Sequence, residues 1–185
     1  MNGGCDRYRI NVVNRIILVQ MSDFNPAVLK ALRVAAGAAF KRPVDVQLRI
    51  TSLRYAYDPS REQYDSPRLL TRLKHFKQGV GDKILGVVDV DLFSPGFDYI
   101  YGEADVPAGI ATLSLHRLHA EFFDEAPDQA LFEERAVKEA VHELGHLFGL
   151  GHCRDKKCVM RFCPNPEDVD WKTRDICGRC ALKLR

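Results

Sequence analysis

Hydrophobic positions along the chain follow two periods, and the switches between them mark its elements. Residues 15–19 hold the unbroken apolar run Ile16-Ile17-Leu18-Val19, which reads as a strand buried on both faces. Asn25-Pro26 opens a helix reaching about residue 40, with Ala27, Leu29, Leu32, Ala35, Ala36 and Ala39 available for packing. Pro43 separates it from a strand over 44–50, where Val44, Val46, Leu48 and Ile50 alternate with polar residues. The polar stretch 57–63, holding Asp58-Pro59, reads as loop. A helix over 66–77 closes at Gly79 and Gly81, and 84–90 forms a third strand. This β-α-β-α-β order predicts parallel strands joined by right-handed crossovers.

Two strand-like runs follow, 97–103 and 110–115, with no helix between them. The link, which contains Pro107, is too short for a crossover, so the two pair antiparallel. Residues 132–147 form the strongest helix, with Ala136, Val137, Ala140, Val141 and Leu144 on one face, until Gly149 and Gly151 break it. A loop with Pro164 and Pro166 leads to a final helix over 168–184. The first 14 residues, with Asn2-Gly3-Gly4, read as a loose lead-in. The expected fold is a mixed α/β domain. Its twisted five-stranded sheet is mostly parallel, with an antiparallel edge strand. One domain spans 1–185, divided into an N-terminal part of about 15–149 and a C-terminal part of about 150–185.

Composition narrows the class. The 185 residues are 46% hydrophobic, enough for one core without disulfides. A net charge of +2 argues against a protein that coats nucleic acid, and no apolar run reaches the ~18–20 residues that span a bilayer. The run at 15–20 is too short for a signal peptide, and no small-residue cleavage site follows it. A cytoplasmic monomer is expected, with neither membrane nor nucleic acid as partner. Cys5 stands alone, whereas Cys153, Cys158, Cys163, Cys177 and Cys180 crowd the last 33 residues, a pattern of metal ligands rather than of a disulfide framework.

His142-Glu143-Leu144-Gly145-His146 places two imidazoles one turn apart on a helix face, where both reach a single zinc ion. Glu143, about 100° further round, reaches a zinc-bound water instead and suits a general base. The string continues to Gly149 and His152, completing H-E-x-x-H-x-x-G-x-x-H. Five fixed residue types recur by chance at roughly one in 10⁵ on ordinary usage. Gly149 lets the chain turn sharply through positive φ, so that His152 swings back as third ligand. Three histidines leave a fourth position for water, the arrangement of a catalytic site. The implied reaction is hydrolysis of a peptide bond in a peptide or protein substrate.

Residues 141–180 resemble the archaemetzincin family of metzincin metallopeptidases. The third histidine runs directly into Cys153-x4-Cys158-Val159-Met160, and Cys177-Gly178-Arg179-Cys180 follows. The resemblance implies a methionine turn at Met160 beneath the catalytic zinc. It also implies a second, structural zinc on Cys153, Cys158, Cys177 and Cys180, hence two zinc ions per chain and a zinc-stapled C-terminal part. Spacing alone does not exclude Cys163, which is read as a buried free thiol; Cys5 is read as inert. Residues 153–185 carry nine Lys+Arg against five Asp+Glu, an excess that offsets the net −2 of a four-thiolate zinc site. The other reading of that count is a modest basic patch for nucleic acid.

Phe162 stands where some metzincins carry a tyrosine ligand, so no tyrosine switch is expected. His75, His116 and His119 read as ordinary loop histidines, with a substrate contact as the alternative for the last two. The strand at 97–103 is a candidate for extending a bound peptide by strand addition. The resemblance implies action on short peptides, aminopeptidase-like action included. The rival reading is a catalytically silent, metal-stabilised binding module that keeps the ligand set; intact Glu143 favours the enzyme.

Overall fold

A computed structural model describes residues 14–49 and 52–184; the first 13 residues of the lead-in, Cys5 among them, and Ile50 lie outside them. Five strands form the main sheet in the order β2-β1-β5-β8-β7: β1 Ile16–Gln20, β2 Val44–Leu48, β5 Lys83–Val88, β7 Gly102–Asp105 and β8 Ile110–Ser114. β1 pairs parallel with β2 and β5, β5 parallel with β8, and β7 antiparallel with β8, as the missing crossover dictates. Every residue of β1 and β8 is buried, because helices cover both faces.

Helix α1 (Pro26–Phe40) starts where Asn25 Oδ1 accepts the Ala27 N–H at 3.0 Å, with Pro26 in its first turn. It packs with α3 (Gln129–Leu147) over one sheet face, around Leu18, Leu32, Leu85, Leu113 and Leu144. Helix α2 (Ser66–Leu73), capped by Asp65, covers the other face through Leu69, Leu70 and Leu73. Among the described residues no helix is long and apolar enough to cross a membrane.

Four expectations change. The alternation in β2 does not bury its apolar set: Val44 is covered, but Val46 and Leu48 are 38% and 64% exposed, because β2 is an edge strand. The stretch 57–63 contributes to a small second sheet, formed by β3 (Tyr57–Asp58), β4 (Gln63–Asp65) and β6 (Leu92–Phe93). The run 97–103 enters the sheet only at Gly102. Before it, Gly96 turns at φ +90°, Ile100 bridges Leu92, and the Tyr99 hydroxyl donates to Pro164 O at 2.6 Å, drawing the chain over the end of α3.

The expected helix at 168–184 is two short ones, α4 (Pro166–Trp171) and α5 (Gly178–Ala181). The residues between them pair with 157–159 instead: Thr173 N–H donates to Lys157 O and Val159 N–H to Asp175 O, each at 2.9 Å. That return brings Cys177 and Cys180 back to Cys153 and Cys158.

Candidate metal centre

Helix α3 ends in a Schellman turn: the Leu150 N–H reaches Gly145 O at 2.9 Å, and the Gly149 N–H reaches His146 O at 2.9 Å. Gly149 takes φ +85°, the angle that the glycine at this position predicts. The turn points Leu150 O back at His146, whose Nδ1 donates to it at 2.8 Å. His142 Nδ1 donates to Val159 O at 2.9 Å. His152 follows two residues after the turn, its ring centroid 5.3 Å from that of His142 and 4.9 Å from that of His146.

Both carbonyls can only accept, so each Nδ1 carries its ring's proton and each Nε2 is a bare acceptor. The two Nε2 atoms nonetheless stand 3.0 Å apart. Burial holds both rings, and His152, below the usual histidine range, so they are neutral at pH 7. Two lone pairs at that separation repel unless a cation lies against both. One nitrogen from each of the three histidines lies within 4.8 Å of the others, and the donor set suits zinc.

Glu143 is buried on the neighbouring helix face and lines the same cleft, of about 500 Å³. Burial, aided by the Glu139 and Glu103 carboxylates, pushes its pKa well above the usual range, while Lys172 pulls the other way. Its side chain packs against Gly102 of β7. A Cβ there would lie 2.6 Å from Glu143 Cγ and 2.6 Å from Thr112 O. Met160 is fully buried and packs against Gly145 of α3, where a Cβ would meet its Sδ at 2.3 Å. Gly145→Ala is therefore expected to displace Met160 and cost about 1–3 kcal/mol, read as a lower melting temperature. An unchanged melting temperature would show that Met160 moves aside freely.

The cysteines form a second cluster. Cys153, Cys158, Cys177 and Cys180 offer sulfurs all within 4.8 Å of one another. The Cys153–Cys177 and Cys158–Cys180 distances are 3.8 and 3.9 Å. A tetrahedron with ~2.3 Å zinc–sulfur bonds has edges of about 3.8 Å. The Cys180 N–H leads in lowering the Cys177 thiol to about 7, and burial pushes Cys180 up to about 12. Cys163 stays outside this cluster as a buried free thiol in the wall of the cleft.

His119 pairs with Asp89 at 3.1 Å and stacks on Phe132, while His116 packs edge-on to Phe122, so neither lines the cleft. Reading the sequence missed Gly102, Glu139 and Lys172. A glycine inside a strand run was the available signal for the first, because it marks close approach of another group.

The sequence model for peptidase family M54 matches residues 7–185. The chain is 36% identical over 174 residues to the archaemetzincin of Methanocaldococcus jannaschii, covering 94% of each. The chain belongs to the archaemetzincin family. It is also 44% identical over 138 residues to the archaemetzincin of Pyrococcus furiosus, covering 74% of this chain and 72% of that one. Among solved structures it is similar to a zinc-dependent peptidase from Methanocorpusculum labreanum. That likeness has a TM-score of 0.85 at 32% identity and covers 92% of this chain and 100% of that one. A second solved archaemetzincin, from Methanopyrus kandleri, has a TM-score of 0.79 at 34% identity, covering 92% and 93%. As an archaemetzincin the chain is a metallopeptidase of a zinc-dependent family, acting on peptide or protein substrates.

Proposed function

We propose that this archaemetzincin hydrolyses short peptides laid along β7, with His142, His146 and His152 holding the catalytic zinc. Glu143 is general base and acid. The observation that carries this reading is the pair of bare Nε2 atoms 3.0 Å apart, with Glu143 lining the same cleft. Zinc bound by these residues would supply a Lewis acid that polarises a carbonyl and lowers the pKa of water.

The chain's own groups do the rest. Glu143 takes a proton from the attacking water and returns it to the leaving amine, and its burial makes its carboxylate a stronger base than an exposed one. The carbonyls of Val159 and Leu150 hold the His142 and His146 rings in the Nδ1–H tautomer. Met160 fills the space beneath them and forms the methionine turn.

β7 is bonded to β8 on one side, and residues from Phe97 to Ala104 line the cleft on the other. An extended peptide fits there as an added strand. The lining includes Asp98, Glu103 and Glu143, with Glu139 offset by Lys172 at 2.7 Å, and no Lys or Arg among the described residues. That charge favours peptides presenting a free amino terminus, in keeping with aminopeptidase-like action. Cys153, Cys158, Cys177 and Cys180 hold the second zinc, which staples the part from about residue 150 to 185.

Zinc content and digestion of a peptide library test this reading. Two zinc ions per chain are expected, with cleavage that stops on full chelation and returns with zinc. A fully zinc-loaded chain that cleaves no peptide would overturn it.

A further inference from the structure

The end of α4 is fastened to α3 at two places of different character. At the first, the buried Arg135 forks onto the half-buried Asp170, with Nε to Oδ1 at 2.8 Å and Nη2 to Oδ2 at 2.7 Å, and Lys138 Nζ donates to Asp170 O at 3.3 Å. Two residues on, Lys172 enters the interior with its side chain fully buried. Its ammonium stands 2.7 Å from Glu139 Oε1, a charge contact rather than an aligned hydrogen bond, and 3.5 Å from Arg161 O. A buried ion pair is a poor adhesive, because desolvating both charges offsets their attraction and an apolar pair of similar shape holds as well. With Arg135 and Asp170 already docking the segment, adhesion does not explain Lys172.

Its surroundings do. Glu139 lies one turn before Glu143 on α3, and both carboxylates line the cleft. Arg161 follows Met160, the residue packed against Gly145 of the same helix. We infer that Lys172 is a positioning residue: paired with Glu139 and bonded to Arg161 O, it fixes the helix turn that carries Glu143 against the segment beneath the histidines. This rests on Glu143 acting as general base, as proposed above. Lys172 holds the base still without touching substrate.

The test compares variants of the zinc-loaded full chain. E139Q/K172M keeps the shape of the pair and removes both charges. It is expected to fold, to keep its zinc and the KM for peptide, and to lose at least tenfold in kcat. Restoring the charges with E139D/K172R, which shortens one arm and lengthens the other, is expected to recover most of that loss. D170N weakens the Arg135 clamp, and is expected to lower the melting temperature while leaving kcat unchanged.

Wild-type kcat in E139Q/K172M overturns the inference, as does a loss that tracks zinc content or an equal loss in D170N. Should the uncharged pair not fold, E139D alone decides: it keeps the charge but withdraws the carboxylate by one methylene. A fall in kcat at constant KM and zinc supports the inference, and unchanged kcat sinks it. Glu143→Ala separates the two readings. If that variant cleaves like wild type, the assignment of the base fails; if it is dead while the pair is dispensable, only the role of Lys172 fails.

Discussion

Glu143→Ala is expected to keep its zinc and to cleave peptides about 10²–10⁴-fold more slowly, the span that a positioned acid–base group contributes. The carboxylate belongs to no ligand cluster, so its loss leaves the three imidazoles and their carbonyl partners in place. On the proposed mechanism, what disappears is the acceptor for the proton of water and the donor to the leaving amine. Glu143→Gln should be as slow, since an amide of the same shape packs against Gly102 but takes no proton. Rates on a defined peptide, with zinc measured on the same samples, decide the matter. A Gln variant near wild-type rate would reassign the base, and zinc loss in step with activity would make Glu143 a structural residue.

The parts of the fold that local chemistry dictates were legible in the chain. Ile16-Ile17-Leu18-Val19 has no polar face and is a fully buried interior strand; Asn25-Pro26 starts α1 at the predicted residue; the link through Pro107 is too short for anything but an antiparallel pair. The histidine triad was legible because helix period and a glycine turn are properties of consecutive residues. Distant partners set the rest. Residues 172–177 look helical in isolation, but Lys157 and Val159 offer them backbone partners, and the cysteines must meet. Lys172 was invisible because a lysine defaults to solvent, and only Glu139, 33 positions earlier, makes its burial tolerable. Gly145 and Gly102 matter through Met160 and Glu143, side chains that reach them from other segments.

On the proposed reading of two zinc sites, Cys177→Ser should lower the zinc content from two ions per chain to one and destabilise the whole domain. Cys177 pairs with Cys153 across the cluster, and it follows the 173–175 segment bonded to Lys157 and Val159. Structural zinc contributes an apparent ~10–16 kcal/mol in small zinc modules. Losing even about 4 kcal/mol of that here lowers Tm by roughly 8–16 °C for a chain of this length. The damage spreads to the histidines through two covalent neighbours. Cys153 adjoins His152, and its N–H donates to Met160 O at 2.8 Å; Val159, next to Cys158, offers the carbonyl that orients His142. Freed cysteines therefore loosen two of the three imidazoles without altering any histidine, and the remaining zinc is expected to be retained less tightly against a chelator. Native mass spectrometry and chelator titration read both effects. Two ions per chain in the variant, or one ion held as firmly as before, would show that the sulfur cluster and the histidine centre are independent.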